Sequence, residues 1–327
     1  MATVPTNAGD TDVDDLGAVL MHEHVFTLTE PLQQGWPGFG GWDAEAEVAA
    51  ARERLARLRQ VGVGAILDMT VPGLGRDPAL AARAAEGTGL KLMFATGYYT
   101  YDKLPFPFQF RGRGKVLDDG DQLLESLFER DLTTGIGDTG FRAAVLKIVT
   151  DEQGMIEDVE RLALAVANVH GRTGAPICTH AHAPTKRGLD QQRILASRGV
   201  DLGRVLIGHS NETTDVGYLE QVIDSGSYLG WDRCGLGFTV PLGAQQDTLA
   251  ALCERGYASR IMLSHDKASF TDWFTNAEQD FVLPDWQFSY IHTALLPGLR
   301  ERGVSADQIE QMLVRNPRDF FAGPNGL

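Results

Sequence analysis

Short apolar runs of strand length alternate along this chain with amphipathic stretches of helical period, and that alternation limits the fold more than any other feature. The runs near 18–24, 65–70, 91–98, 143–150, 176–182, 204–210, 227–232 and 260–266 read as strands. Around 43–60, Val48, Leu55, Leu58 and Val61 recur at helical spacing among Arg and Glu. Alternating β and α elements predict a parallel sheet, and eight such units close a (β/α)8 TIM barrel. A doubly wound open sheet is the alternative topology. The 327 residues suit one barrel with additions, and no Pro- or Ser-rich linker divides them. The expectation is a single α/β domain over 1–327, with a short N-terminal segment (1–17) and extended loops at 99–118 and 267–287. An extra C-terminal helix, opened by the capping box Ser305-Ala306-Asp307-Gln308, would run toward Phe320. Both long loops follow strands, which places them on the face where barrels keep their chemistry.

Composition removes several classes of partner. A net charge of −15 leaves no basic surface for a phosphate backbone, so nucleic acid is not expected. The same field repels anions and favours a small neutral substrate. Cys178, Cys234 and Cys253 are odd in number and lack C-x-x-C spacing, which gives neither a disulfide framework nor a zinc knuckle. The acidic start MATVPTNAGDTDVDDLG has no basic or apolar signal region, and no run approaches about 18 apolar residues. A cytoplasmic protein without membrane partners is expected.

Lys147 stands alone in the run Ala143-Ala144-Val145-Leu146-Lys147-Ile148-Val149. A buried ammonium costs several kcal/mol unless something neutralises or employs it. His22 and His24, two residues apart near the end of the first strand, share one face, with Glu23 on the other. Lys147, His180, His209 and Asp266 also fall near strand C-termini, which converge on one mouth in a closed barrel. Each residue alone has an ordinary reading. A strand lysine can snorkel to water, His180 and His182 can be satisfied polar residues, and His209 can cap a helix. His182 has the same parity as His180, so spacing does not choose between them. His265 points opposite to Asp266 and reads as structural or as a support behind the ligands, His170 as a surface residue and His292 as a helix-face one. Convergence of ligand types from five strand ends favours a metal site over these separate readings.

The segments Leu20-Met21-His22-Glu23-His24, Lys147 in its apolar strand, Thr179-His180, Ile207-Gly208-His209-Ser210, Gly230-Trp231-Asp232-Arg233-Cys234-Gly235 and Leu263-Ser264-His265-Asp266 form an ordered set. That set resembles the phosphotriesterase family of the amidohydrolase superfamily, and most of all its phosphotriesterase-like lactonases. The resemblance implies a homodimer of barrels, each with a binuclear metal centre. His22, His24 and Asp266 would hold one divalent ion, and His180 and His209 the other. Lys147 would bridge both as N6-carboxylysine, formed with carbon dioxide. Thr179 matches the residue before the family's ligand and so selects His180 over His182. Burial favours the neutral, nucleophilic lysine amine that this modification needs. Zinc is the first choice of metal, with Co, Mn or Fe also compatible with these ligands. A bridging hydroxide would attack, with Asp266 orienting it and shuttling its proton.

Phosphotriesterases proper typically have a histidine where this chain has Arg233, whereas Gly-x-Asp-Arg-x-Gly is similar to the lactonase pattern. The stretch Ala95-Thr96-Gly97-Tyr98-Tyr99-Thr100-Tyr101 also resembles lactonases, implying a tyrosine over the metals: Tyr99, with Tyr101 as the fallback. Tyr99 and Arg233 would position the lactone and stabilise its oxyanion; the plainer reading is that Tyr99 packs and Arg233 pairs with a carboxylate. Trp273, Trp286 and Phe270 would line an acyl-chain channel or form a dimer interface. The implied activity is hydrolysis of neutral lactones, N-acyl-homoserine lactones above all (quorum quenching), with promiscuous organophosphate hydrolysis. A phosphotriesterase or carboxylesterase using the same metals is the alternative. A scaffold barrel with purely structural metals is disfavoured by the complete ligand set.

Overall fold

All eight predicted strands form, and two short ones precede them: Thr3–Thr6 (β1) pairs antiparallel with Gly9–Asp12 (β2) in the segment expected only as an N-terminal extension. The computed structural model describes residues 2–323 apart from Arg113 and Asp119. Met1 and residues 324–327 of the expected domain, and Arg113 of the 99–118 loop, lie outside the described residues. The barrel strands are Ala18–Thr27 (β3), Val63–Asp68 (β4), Lys91–Gly97 (β5), Ala143–Thr150 (β6), Ile177–Ala181 (β7), Val205–Ile207 (β8), Tyr228–Trp231 (β9), Ile261–Leu263 (β10) and Ala268–Thr271 (β11). They are parallel, in the order β10-β9-β8-β7-β6-β5-β4-β3-β11.

The two ends of that order are consecutive in the chain, and this closes the barrel. β10 pairs with β9, β11 pairs with β3, and the segment between them bridges the seam. There Asp266 N donates to His22 O (2.9 Å), His24 N to Lys267 O (3.0 Å) and Ser264 Oγ to His22 O (2.8 Å). The eighth strand is therefore one strand broken at Ser264–Lys267, and the open-sheet alternative is excluded.

Helices follow the strands around the outside, among them Ala44–Gln60, Pro78–Ala85, Glu157–Thr173 and Leu242–Glu254. In the first of these Val48, Ala51, Leu55 and Leu58 face the sheet, whereas Val61 caps the helix and is exposed. Outward strand residues such as Leu20, Ile66, Leu146 and Ile177 pack against this ring, while Met21, Leu67, Val145, Cys178 and Met262 fill the barrel interior. The capping box forms as expected: Gln308 N donates to Ser305 Oγ (3.2 Å) and Ser305 N to Gln308 Oε1 (2.9 Å). The C-terminal helix continues through a π-turn to Ala322, where Phe320 and Phe321 join Val4, Val13 and Leu16 against the interior residues.

The predicted sixth strand, 204–210, ends early at Ile207, because His209 adopts a left-handed backbone (φ 56°). The 267–287 loop is partly regular, since it begins with β11 and holds the helix Asn276–Val282. His170 is not a surface residue: it is buried and its Nδ1 bonds Ala175 O (2.8 Å), tying a helix end to the entry of β7. No helix among the described residues is long and apolar enough to cross a membrane.

Candidate metal centre

The alternation that buries Val19 and Met21 in the barrel would bury Glu23 there too, but the β3–β4 register shifts between Leu20 and Glu23. His22 and His24 consequently face the barrel mouth. Glu23 turns into the wall, where its fully buried carboxylate accepts from Ser264 Oγ (2.8 Å), His265 N (2.9 Å), His265 Nδ1 (2.7 Å) and Lys267 N (3.0 Å). His265 thus sits in the wall behind the site, bonded to Glu23, on the side its parity predicts.

Asp266 faces the two histidines from across the seam. It has a left-handed backbone (φ 53°), and outside Gly only Lys186, His209 and Asp266 have positive φ among the described residues. Two of those three sit in this site, where such strain is commonly tolerated. Asp266 Oδ1 lies 3.3 Å from His22 Nε2 and 3.3 Å from His24 Nε2. A tetrahedral ion with bonds of about 2.0–2.1 Å sets its ligand atoms about 3.3 Å apart, so these three atoms fit one divalent cation. His180 Nδ1 and His209 Nε2 approach to 2.9 Å beside them, and His209 Nε2 lies 3.9 Å from Asp266 Oδ2. That second pair, with Lys147 on the adjacent strand, offers the donors for a second ion.

The imidazoles are held ready as ligands from behind. Asp232 Oδ2 accepts from His22 Nδ1 (2.9 Å), and Asp232 Oδ1 accepts from His209 Nδ1 (2.9 Å) and His209 N (2.7 Å). One buried carboxylate thereby fixes the tautomers of two histidines and leaves each Nε2 without a proton, its lone pair facing the site. His24 Nδ1 bonds Thr70 Oγ1 (2.8 Å), which donates in turn to Asp68 Oδ1 (2.6 Å). Asp151 Oδ2 lies 3.4 Å from His180 Nε2. Burial holds His22 below the usual histidine range, His24 down to about 4 and His180 down to about 3, so these rings are neutral and can donate a lone pair to a metal.

Lys147 is 1% exposed, and its Nζ donates to Met69 O (2.9 Å). Burial brings its pKa down to about 8, against the pull of Asp266, Asp68 and Asp232. Burial alone would raise Asp266, but His22, His209, His24 and Arg233 hold it well below the usual carboxylate range. Arg233 Nε donates to Asp266 Oδ2 (3.0 Å), and its Nη1 pairs with Glu212 Oε2 (2.8 Å). The expected role of Arg233 as a carboxylate partner is therefore realised, while its side chain also lines the cavity.

That cavity, about 270 Å³, has His22, His24, Lys147, His180, His209 and Asp266 among its lining residues. Tyr99, Leu74, Leu236, Phe238, Trp273, Phe274, Leu283 and Trp286 complete much of the rest. The Tyr99 ring meets the His180 ring edge-on with centroids 5.9 Å apart, and burial pushes its hydroxyl pKa up. Tyr101, the fallback, is 40% exposed and does not line the cavity. His182 also lies outside it, bonded to Thr185 Oγ1 (2.8 Å). Of the three aromatics expected along a channel, Trp273 and Trp286 line the cavity, but Phe270 packs outward on Trp42 with centroids 5.0 Å apart.

Residues 2–321 match the model of the phosphotriesterase family. The chain belongs to that family. Members of the phosphotriesterase family are metal-dependent hydrolases with binuclear centres, consistent with the donor set above. The chain is 36% identical to an aryldialkylphosphatase of Saccharolobus solfataricus, over 94% of this chain and 96% of the relative. Its fold matches the structure of the phosphotriesterase from Mycobacterium tuberculosis with a TM-score of 0.95 and 46% identity, covering 98% of each chain. It matches a variant of a PTE-like lactonase from Deinococcus radiodurans with a TM-score of 0.89 and 31% identity, covering 97% of this chain and 99% of that one.

Several residues of this phosphotriesterase-family site escaped sequence reasoning. Asp232 stands in the sequence only as part of the Gly-x-Asp-Arg-x-Gly motif, and Asp68, Thr70, Asp151 and Glu212 carry no motif signal. Position offered a signal for two of them: Asp68 ends β4 and Asp151 directly follows β6.

Proposed function

We propose that the protein is a binuclear metal-dependent lactonase acting on neutral lactones with an apolar substituent, N-acyl-homoserine lactones foremost, as in quorum quenching. His22, His24 and Asp266 would hold one ion, His180 and His209 the other, and Lys147 would join them as N6-carboxylysine. Two zinc, cobalt, manganese or iron ions held there would supply Lewis acidity toward the ester carbonyl and lower the pKa of water.

The observation that supports a lactone is the cavity itself, whose lining joins the histidines and Asp266 to Leu74, Leu236, Phe238, Trp273, Phe274, Leu283 and Trp286. Such a shape suits a neutral molecule with one polar ring and one apolar tail. Asp266, ionised and gripped by Arg233, would take the proton of the attacking water and pass it to the ring alkoxide as the acyl C–O bond breaks. The Tyr99 hydroxyl stays protonated and would donate to the ring oxygen. Arg233 would stabilise negative charge developing next to Asp266. The product is the open-chain hydroxy acid.

An organophosphate triester is the second reading, because the S. solfataricus relative is an aryldialkylphosphatase and neutral phosphotriesters suit the same cavity. We include a homodimer in the proposal, since Trp36 (65% exposed), Phe281 (88%) and Phe274 (42%) leave apolar surface on loops after β3 and β11. A reducing, cytoplasmic setting suits three buried cysteines that are free.

The test is a substrate panel on metal-reconstituted enzyme: homoserine lactones of increasing acyl length, plain γ- and δ-lactones, simple carboxylesters and a neutral organophosphate. Higher kcat/KM for acyl-homoserine lactones than for all the others is expected; faster organophosphate turnover would overturn the assignment. Lys147→Ala should lose metal and activity together, with partial rescue by short carboxylic acids. Full activity of that variant without added acid would remove the bridging carbamate.

A further inference from the structure

A second cavity, about 480 Å³, opens on the outer side of the barrel wall behind Asp266, between the helix Ala44–Gln60 and the segment after β11. Lys267 reaches into it because it follows Asp266 in the broken strand and points the opposite way. Lys267 is only 4% exposed, yet its Nζ has neither a carboxylate nor a hydrogen-bond acceptor among the described residues; it lies 4.4 Å from the centroid of the Trp286 ring. A desolvated ammonium resting only on a ring face is far from compensated.

The surroundings add positive charge. Arg54 lines the same cavity, with Nη1 donating to Ser269 O (2.8 Å) and Ser269 Oγ (2.9 Å) and with Glu47 at 3.8 Å. Arg57 lies at the exposed rim, with Glu53 at 3.8 Å. Against these three cations the lining offers one carboxylate, Asp280, which is not within ion-pair distance of Lys267 and accepts from Gln287 Nε2 (3.2 Å). A cationic pocket of this kind is an exception on a chain with a net charge of −15. Leu58 and Phe288 give it an apolar wall as well.

We propose that this cavity binds a small organic oxyanion, a carboxylate or a phosphate monoester, whose head group pairs with Lys267 and Arg54 and whose apolar part lies against Leu58 and Phe288. The site is separate from the metal-lined cavity, although Trp286 stands between them, lining that cavity and facing Lys267.

The experiment is calorimetric titration and thermal melting of the metal-loaded protein with sodium hexanoate, phenyl phosphate or inorganic phosphate, against sodium chloride at matched ionic strength. Saturable binding with a raised Tm is expected from hexanoate or phenyl phosphate. Lys267→Met and Arg54→Gln should each weaken it at least tenfold while metal content stays unchanged. Arg54 is more exposed than Lys267, so its variant keeps the test open if Lys267→Met folds poorly. Stronger binding of one organic probe identifies the preferred head group. Absence of saturable binding, equal binding by both variants, or binding that chelation abolishes and the substitutions leave intact would overturn the proposal; the last result would locate the anion on the metals.

Discussion

Replacing Asp232 by Asn should weaken one metal subsite and spare the other. The carboxylate offers two acceptor oxygens, one to His22 Nδ1 at 2.9 Å and one to both His209 Nδ1 (2.9 Å) and His209 N (2.7 Å). An amide keeps only one acceptor. The backbone N–H of His209 is a fixed donor, so the Asn carbonyl must stay on the His209 side and the NH2 group then faces His22 Nδ1. Two donors cannot bond, and His22 can accept from the amide only by moving its proton to Nε2, the atom that points at Asp266 Oδ1. Loss of such a supporting partner typically costs about 10–100-fold in metal affinity, or about 1.4–2.7 kcal/mol. The loss should fall on the His22, His24 and Asp266 subsite. Chelator-competition titration with metal analysis at each step would show one ion released about 10–100-fold more readily and the other at its native affinity. Retention of both ions at native affinity, or preferential loss from the His180 and His209 side, would refute the tautomer argument.

Three further outcomes are expected. In metal-free, carbon-dioxide-free buffer, Lys147 at about 8 against an ordinary 10.5 means that the unfolded chain alone binds this proton between those values. Wild-type stability should therefore rise relative to Lys147→Met as pH climbs from about 8 to 10.5, by up to about 3 kcal/mol, with the full penalty present below 8; parallel urea curves at pH 7.5 and 10 check this, and an unchanged gap would contradict it. Arg233→Met should lower lactone kcat about 100-fold with metal content intact, because it removes the cation held on Asp266; steady-state kinetics beside metal analysis distinguish this from metal loss. Gly208→Ala would set a Cβ 2.0 Å from Thr179 O and 3.0 Å from Asp232 Oδ2, so the unfolding free energy from urea curves should fall by about 1–3 kcal/mol and metal affinity with it; a native urea midpoint would show that the strand has room to move.

The barrel was legible because its physics is local. Strands buried on both faces read as apolar runs, helices read by period, and βα alternation admits few closed topologies. The meeting of the candidate ligands was legible for a similar reason, since strand C-termini in a barrel converge and a lone Lys147 in an apolar strand requires a partner, whereas the choice of His180 over His182 and the bridging role proposed for Lys147 rest on the family resemblance. The misreadings have equally local causes. His170 occupies a helix end whose tertiary partner, Ala175 O, follows a turn that no periodicity reveals. For Phe270 aromatic content suggests a channel or a dimer interface, but strand β11, which the apolar pattern does not announce, turns it outward onto Trp42.

By itself the sequence determined the parallel α/β barrel, the strand ends that hold the polar groups, and the family to which the chain belongs. These depend on hydrophobic periodicity and on residue identity, which are properties of short segments. Tertiary structure alone decided how those groups meet. The register shift in β3 that turns His22 and His24 toward the mouth, the break of the eighth strand at Asp266, and the service of one Asp232 to two histidines all depend on contacts between residues far apart in the chain. Pairing register and hydrogen-bond partnership across a closing seam are set by the whole barrel, and no single segment encodes them.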